Sequence, residues 1–475
     1  MELIILIPAI VCTIVLARGS MRQALVWVYI PVLLLLPHYF SLRFPHMPPL
    51  TFTDMAILPL AVALAMTELR HWRLSWIDLF VVLFALSQAF SEGLNTYIPG
   101  SQVSSVGGSV FQLPFDFANG GLTLFAALTS VVLPYMVAKM LMEQGKGAEP
   151  PARTPVIRAM TALLAFVGIA SVVDFVLKMS IWQRFWGHFF PGQIVEWPLQ
   201  ERWGFGRITG AYAHAILAGM VFLAGLIYCM WLRQGDPAWG ARRLVKGIPV
   251  TMRGLTLAAI VLGLGMTQSR GPWAGAGLAV VFALLVHWFS VRKAFVLFVL
   301  LMSVAGVAAY YYGKAYTAGE ISQATSLEQE DAIYRKQLLR SYLPLVAKRM
   351  AFGYGVTNLP TINGQKSIDN EFLWLAATQG LTGLGLFLAI GVGSGLRLIW
   401  LALKPIGRDD QTMLFAHLAV LMGLLATLTT VYLGETMFVL FFFLAGWMDG
   451  MNPARVTVRR SVGFTSQYRF QKVLV

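Results

Sequence analysis

Four arginines stand at places in this sequence where a positive charge needs an explanation. Arg202 and Arg207 flank a glycine-containing stretch, and Arg270 is the only charge in a short hairpin between two apolar runs. Arg335 projects from the apolar side of a helical pattern. A guanidinium group holds five donors in one plane and binds phosphate oxygens in a bidentate manner that lysine cannot match. We therefore expect these arginines to bind an anion.

Structural explanations stay open beside this one. Arg335 can extend its charged head from an apolar helix face to the lipid headgroups, and Arg270 can be a polar contact between helices. The stretch from Arg202 to Arg207 runs on to His214, about one turn inside the next apolar run. His214 either packs as a hydrogen-bonded histidine or lies at the same site.

A polar triplet supplies the candidate base. Asp369-Asn370-Glu371 directly precedes an apolar run, where carboxylates often cap a helix and complement its dipole. A partly buried carboxylate at a membrane interface has a raised pKa and can take a proton from a hydroxyl group. We expect Asp369 to be the base, with Glu371, His214 and Glu435 as reserve candidates.

Metal chemistry has weaker support in the sequence. Glu328, Glu330 and Asp331 could hold a divalent ion, but no Asp-x-Asp pair accompanies them, and we expect no metal and no other cofactor. Walker-type glycine loops are missing as well. Any reaction must therefore draw on energy already stored in its substrate.

The elements that position these residues belong to a membrane protein. Hydrophobic residues make up 57% of the 475 residues and charged residues only 12%, against about 25% charged in a soluble domain. Most of the recurring apolar runs are long enough to cross a hydrocarbon core of about 30 Å. The pattern predicts an all-α polytopic protein with about 13 transmembrane helices, approximately at 2–17, 24–40, 51–67, 76–92, 119–138, 158–178, 209–232, 254–269, 273–290, 294–312, 372–395, 412–432 and 436–449.

We predict one integral membrane domain over residues 1–475. Ten spans lie before residue 313, residues 313–371 form a large loop, three spans lie within 372–449, and residues 450–475 are a basic tail. The first apolar run lacks a basic n-region and an Ala-x-Ala site, so we expect a retained helix. Cys12 and Cys229 both lie within apolar runs and indicate no disulfide.

The positive charges orient the chain. Of the 36 basic residues, 23 fall in or beside alternate connections or in the tail, which the positive-inside rule assigns to the cytoplasm. That rule accounts for the net charge of +14 without a nucleic-acid partner. We expect the amino terminus outside, the carboxyl terminus inside, and the long loops 93–118, 179–208 and 313–371 outside.

Two of these loops, 313–371 and 179–208, have sequence patterns that predict their structure or location. In loop 313–371, Ser326 and Gln329 have capping-box spacing, and the helix they begin runs to about Arg349 with a kink expected at Pro344. Its apolar arc consists of Tyr334, Leu338, Leu339, Tyr342, Leu345 and Val346. Loop 179–208 is aromatic, as expected of a segment at the headgroup level, and its rings could stack on sugars.

Several short motifs together resemble the O-antigen polymerase/O-antigen ligase superfamily. They are Arg207-Ile208-Thr209-Gly210 followed by His214, Thr267-Gln268-Ser269-Arg270-Gly271, Tyr334-Arg335, Phe352-Gly353-Tyr354-Gly355, the polar triplet leading into Phe372-Leu373, and Gly380-Leu381-Thr382-Gly383. The resemblance covers about residues 200 to 395. It implies a GT-C-like glycosyltransferase of the bacterial inner membrane, which moves a glycan from undecaprenyl diphosphate to an acceptor hydroxyl on the periplasmic side.

The resemblance also implies roles for residues of this chain. Arg270, Arg335 and Arg207 would bind the diphosphate, and the further substrate ligands would be Arg202, Tyr334, His214, Asn370 and Glu371. Ligases of the family have a histidine just before the span that follows the large loop, where this chain has Asp369-Asn370-Glu371. This difference favours a polymerase of exopolysaccharide or O-antigen repeat units, and single displacement with inversion is its simplest mechanism.

Two other functions remain open. One is a ligase that transfers the glycan to lipid A–core or to a protein, and the other is a lipid or solute transporter, since basic mouths also serve flippases. The expected partners are an undecaprenyl-diphosphate-linked oligosaccharide, membrane lipid, and the flippase and chain-length regulator of the same pathway.

Overall fold

Apolar helices dominate the computed structural model, which describes residues 2–44, 47–67, 71–95, 116–142, 152–193, 200–243, 250–360, 362 and 367–452. Within these ranges, eight helices are long and apolar enough to cross a membrane, and four shorter apolar helices accompany them. The chain is an all-α polytopic membrane protein, as the sequence predicts.

The helices follow one another with two small hairpins between them. After a 3-10 turn at Glu2–Leu6, the first half contains α1 (Ile7–Arg18), α2 (Met21–Leu35), α3 (Phe52–Thr67), α4 (Trp76–Leu94), α5 (Phe117–Leu141), α6 (Arg153–Leu177) and the short α7 (Ile181–Gly187). The second half contains α8 (Ala215–Gly235), α9 (Met252–Met266), α10 (Arg270–Trp288), α11 (Val291–Tyr316), α12 (Leu327–Lys348), α13 (Glu371–Thr378), α14 (Gly380–Ala402), α15 (Arg408–Leu428) and α16 (Gly434–Gly450). The antiparallel hairpins pair β1 (Ser41–Leu42) with β2 (Leu50–Thr51) and β3 (Glu201–Arg202) with β4 (Phe205–Gly206).

Each of the thirteen predicted spans overlaps one of these helical segments, but some predicted ends are wrong, two of them close to the polar segments 36–51 and 178–214. The span predicted at 24–40 ends at Leu35, because Leu36 precedes a proline and adopts an extended backbone. The span predicted at 209–232 begins only at Ala215, since Gly210 lies at a φ of 57°. His214 is therefore the N-cap of α8 and does not lie one turn inside it.

The span predicted at 372–395 is also not continuous, because it breaks at Gln379 between α13 and α14. The backbone after α12 packs into this break, where Tyr354 N donates to Ala377 O at 2.9 Å and Leu381 N donates to Met350 O at 2.6 Å. Gly380 has a φ of 69°, and a Cβ there would lie 2.4 Å from Ala351 O. The segments that carry the two glycine motifs of the sequence are thus in direct contact.

The predicted helix in the large loop is confirmed as α12, with Ser326 as its N-cap. The reciprocal half of the capping box is absent, since Gln329 Oε1 accepts from Thr325 N at 2.8 Å rather than from Ser326. Pro344 lies inside the helix. One member of the predicted apolar arc is wrong, because Leu339 is 41% exposed while Ile333 is buried in its place.

Two rings of the aromatic loop 179–208 are buried against other parts of the protein. Trp182 is buried and donates through Nε1 to Leu35 O at 2.9 Å. Phe190 is also buried and stacks on Phe40 at a centroid distance of 4.8 Å. The expectation that these rings stack on sugars is therefore wrong for both residues. Trp197 lies outside the described residues.

The polar connections meet at one end of the bundle, which we call the site end. Among the described residues, hydrogen bonds connect the segment 36–51 to the segment 178–214. Further hydrogen bonds connect 178–214 to both 267–269 and 317–370. The segment 317–370 is in turn bonded to 429–433. At the opposite end, Lys139 Nζ lies 2.5 Å from Asp78 Oδ1 and 2.7 Å from Asp449 Oδ2, and Arg397 lies 3.3 Å from Asp449 Oδ1. This buried network ties α4, α5, α14 and α16 together, and each of its carboxylates faces a positive charge, as burial requires.

Candidate active site

A two-residue hairpin turn places the first arginine of the site. Trp203 and Gly204 have φ values of 54° and 79°, and positive φ at both central residues defines the turn that matches the twist of paired strands. Such a conformation is uncommon for a residue other than glycine and is found often at functional sites. The exposed Trp203 ring lies between two arginines, with its centroid 6.0 Å from Arg202 Cζ and 5.9 Å from Arg270 Cζ.

The turn between α9 and α10 places the second arginine. Gln268 lies at a φ of 49°, and the arginines of the neighbouring hairpin donate to two carbonyl groups of this turn. Arg202 donates to Gln268 O at 3.0 Å, and Arg207 donates through Nε to Thr267 O at 3.2 Å. Arg270 is consequently held at the first residue of α10.

Close helix packing fixes the start of α10 from the other side. A Cβ on Gly275 would lie 2.5 Å from Gly423 O, and a Cβ on Gly271 would lie 2.2 Å from Thr430 Oγ1. Small residues let two helix backbones approach in this way. The position of Arg270 is therefore set by α15 as well as by the hairpin.

Arg207 lies beneath the other arginines and is only 6% exposed. Besides Thr267 O, its guanidinium donates to Gln200 Oε1 at 2.5 Å and to Ser269 Oγ at 2.9 Å. Burial, and then the charge of Arg202, lower the pKa of Arg207 to about 10, so it stays protonated at neutral pH. Since three of its five donors already bind the protein, Arg207 is placed to support the turn that carries Arg270.

The open face of the cluster contains Arg202, Arg270 and Arg335. Arg270 is 43% exposed at its side chain and pairs with Glu328, and Arg202 lies 3.4 Å from Asp331 Oδ2. Burial, together with the charges of Arg270 and Arg335, lowers the pKa of Arg202. Arg270 and Arg335 are therefore both close enough to Arg202 to repel it.

The first turn of α12 supplies the counter-charges. The backbone N–H of Glu328 and the Arg270 guanidinium lower the pKa of the Glu328 carboxyl group, so it is ionised at neutral pH. Four guanidinium groups face the two carboxylates of Glu328 and Asp331, which leaves the cluster with a net positive charge. Two buried polar atoms beside it, Gln268 Oε1 and Thr209 Oγ1, have no hydrogen-bond partner among the described residues.

Tyr334 links the arginine helix to the polar triplet. Its hydroxyl group donates to Ser367 O at 2.8 Å and accepts from Ser367 N at 3.2 Å. Ser367 Oγ in turn donates to Asp369 Oδ1 at 2.7 Å. Tyr334 therefore positions the segment that carries Asp369, and its hydroxyl group is already occupied by the backbone.

His214 and Asp369 lie close enough to interact electrostatically, although they are 155 positions apart in the chain. Burial and the Arg207 charge lower the pKa of His214 to about 4, while the Asp369 charge opposes them. His214 Nδ1 accepts from Ile216 N at 3.2 Å, so the neutral ring has its proton on Nε2. In this state His214 can donate a hydrogen bond but cannot take a proton at Nε2.

The other two members of the triplet have different surroundings. Asn370 caps α13 by accepting from Leu373 N at 3.0 Å, and it donates to Thr429 O at 3.0 Å. Glu371 is 1% exposed and lines a separate cavity. The side chain of Glu435 lies outside the described residues.

Residues 255–388 match the model of a protein family described as O-antigen ligase. This segment belongs to the O-antigen polymerase/ligase superfamily. It runs from α9 into α14 and includes Arg270, Arg335 and Asp369, while Arg202, Arg207 and His214 lie before it. The comparison with curated proteins gave no match. For residues 255–388, the superfamily predicted from the sequence is confirmed.

The sequence did not reveal how this cluster is held together. The sequence offers Glu328 and Asp331 as candidate metal ligands, but in the structure Glu328 pairs with Arg270 and Asp331 pairs with Arg202. Across the described residues, no group of three or more His, Cys, Asp or Glu side chains could hold a metal ion. Trp203 was also missed as a site residue, because the usual signal for a two-residue hairpin turn is Asn-Gly or Asp-Gly and a tryptophan before glycine does not predict one.

The pairing of Arg270 with Glu328 generates a prediction. Glu328→Gln removes a carboxylate that competes with an anion for Arg270, so inorganic diphosphate should bind more tightly. Because a solvent-exposed ion pair is weak, we expect only a roughly 2- to 5-fold lower Kd. Titration calorimetry of the purified protein in detergent measures the change.

Glu330→Gln is the matched control, because Glu330 is an exposed carboxylate of the same helical turn and, in the described part of the chain, forms no ion pair with these arginines. If both variants tighten diphosphate binding equally, the effect is one of overall charge. Arg270 would then not be the anion-binding group.

Proposed function

We propose that this protein is a polysaccharide polymerase, which joins repeat units carried on undecaprenyl diphosphate and releases the lipid diphosphate. The superfamily supports polysaccharide polymerase or ligase activity in general. The observation that carries the specific proposal is the arginine cluster at the site end, with Asp369 and neutral His214 at its edge.

The arginine cluster suits a diphosphate leaving group. When the bond between the anomeric carbon and the phosphate oxygen breaks, negative charge develops on that oxygen. Donors that are already in place stabilise such charge without reorganising, and this is often the largest single contribution to catalysis. Arg270 and Arg335 are the proposed diphosphate ligands, Arg202 assists them, and Arg207 holds their supporting turn.

Asp369 is the proposed base. The acceptor hydroxyl oxygen attacks the anomeric carbon of the donor sugar, its proton passes to the Asp369 carboxylate, and the lipid diphosphate leaves from the opposite face. One displacement inverts the anomeric configuration. His214 is a poor alternative, because its Nδ1 lone pair is occupied by Ile216 N and its pKa of about 4 makes it a weak base. It is suited to donate a hydrogen bond through Nε2 instead.

A polymerase is favoured over a ligase for one reason that lies in this chain. The place that carries a histidine in the resembling ligases reads Asp369-Asn370-Glu371 here, and the nearby histidine, His214, comes from a different element. We further propose that the site end faces the periplasm of the bacterial inner membrane. This orientation follows from the 23 basic residues assigned to the other side.

The diphosphate ligands give the first test of this proposal. Arg270→Lys and Arg335→Lys keep the charge and lose the planar pair of donors, so kcat for chain growth should fall about 10²-fold, as for the loss of one donor to a developing oxyanion. The assay is elongation of lipid-linked repeat units by purified protein in detergent. Arg340→Lys, an exposed arginine on the same helix, should change kcat by less than about 2-fold. Normal chain growth with either site variant would contradict the diphosphate assignment.

The base gives a separate test. Asp369→Asn keeps the size of the side chain and removes its proton affinity, so kcat should fall about 10²- to 10⁴-fold while KM for the lipid-linked donor changes little. Asp409→Asn, at the start of α15 at the opposite end, controls for the loss of a carboxylate. Full activity of Asp369→Asn would overturn the assignment and leave Glu371 or Glu435 as the base.

A further inference from the structure

A second polar feature lies next to the proposed base. A cavity of about 340 Å³ opens at the site end between α3, α5, α13 and α16. This volume lies near the lower limit of the roughly 300–1,000 Å³ of small-molecule pockets, which are mostly apolar with a few convergent polar groups. The reaction proposed above assigns no role to this cavity.

Glu371 is the most unusual residue in its wall. It is almost fully buried, and its Oε2 accepts from Leu433 N at 2.6 Å. Its Oε1 has no hydrogen-bond partner among the described residues. Burial raises the pKa of Glu371 to about 7, so at neutral pH the group can either accept or donate a hydrogen bond. A buried polar atom without a partner is costly unless a ligand or water satisfies it.

The remaining wall defines the chemistry of the ligand. Asp54 is a second buried carboxylate, with Thr51 N and Thr51 Oγ1 both 2.8 Å from its Oδ2. The rings of Trp374 and Tyr432 lie 6.3 Å apart and are tilted by 42°. His38 contributes an uncharged ring, because burial lowers its pKa to about 4.

These groups exclude two classes of ligand. Among the described residues that line the cavity there is no lysine or arginine, so an anion would find no counter-charge. The same residues contain no cluster suited to a metal ion. Carboxylates that accept hydrogen bonds, together with aromatic rings, instead fit a neutral molecule rich in hydroxyl groups.

The cavity is also adjacent to the reaction centre. Asp369 and Glu371 are separated by one residue, so their Cα atoms lie within about 7.6 Å. Asp369 lies within electrostatic range of His214, on which Arg207 also acts, whereas Glu371 lines the cavity. A sugar held by Glu371 could therefore present a hydroxyl group to Asp369.

We propose that this cavity is the acceptor subsite, which binds the terminal sugar of the acceptor glycan through the Glu371 carboxyl group. The assignment rests on the proposed polymerase function. Glu371 touches the acceptor and positions it, while Asp369 takes the proton. The donor diphosphate binds at the arginine cluster on the other side of Asp369.

The test uses a probe that can act only as acceptor. Mild acid releases the oligosaccharide repeat from its lipid diphosphate, and a fluorescent tag at its reducing end allows both binding and elongation to be followed. Glu371→Gln should weaken binding of this probe and raise its KM by about 10-fold or more, as expected for one hydrogen bond to a charged group. KM for the lipid-linked donor should change by less than about 2-fold.

A second variant protects the test against misfolding of the first. Ser130→Leu fills the cavity from α5 without altering Glu371 and should weaken binding of the probe in the same way. Glu330→Gln is the control for the lost carboxylate, and thermal unfolding in detergent verifies that each variant is folded.

Failure of this inference is distinguishable from failure of the proposed function. If the wild-type protein elongates the probe and both cavity variants show the wild-type KM for the probe, the acceptor binds elsewhere. If the wild-type protein forms no glycosidic bond, the polymerase proposal fails. Binding of the probe would then decide whether the cavity is a sugar site. Unchanged probe binding in both cavity variants would overturn that assignment as well.

Discussion

The arrangement of the site end depends on holding several positive charges together at the end of an apolar bundle. Arg202 and each of Arg207, Arg270 and Arg335 repel one another, and burial lowers the pKa of both Arg202 and Arg207. Backbone carbonyl groups of the α9–α10 turn and the carboxylates of Glu328 and Asp331 offset this repulsion. A cluster with so much positive charge is stabilised further by any anion that enters it. We infer that binding of the diphosphate proposed as ligand offsets the electrostatic cost of holding these positive charges together.

The connections between elements explain why the site needs most of the chain. The β3–β4 hairpin supports the turn that carries Arg270, and α15 packs against the start of α10 through glycines. Tyr334 of α12 holds the segment of Asp369 through the backbone of Ser367. Each proposed catalytic group is thus fixed by an element distant in sequence. This is the arrangement that catalysis by positioning requires, because small displacements of reacting groups are costly.

The sequence predicted the features that depend on local pattern. Apolar runs gave the helices, Ser326 gave the start of α12, and the arginines in polar segments gave the candidate cluster. Features that depend on tertiary contacts were not predictable. The break at Gln379 exists because the backbone of Met350 and Ala351 packs against Gly380 and Leu381. The placement of His214 beside Asp369, the pairing of Glu328 with Arg270, and the cavity at Glu371 likewise depend on elements that are far apart in the chain.

The central claim is that the site end makes glycosidic bonds and does not merely move lipids. The most direct measurement follows lipid diphosphate release and chain length together, with the purified protein and lipid-linked repeat units in detergent, where no membrane remains to be crossed. The account predicts one lipid diphosphate released for each glycosidic bond formed, and chains longer than the substrate. Unchanged chains in detergent, with movement of the lipid-linked unit across sealed vesicles containing the same protein, would contradict it and identify a transporter.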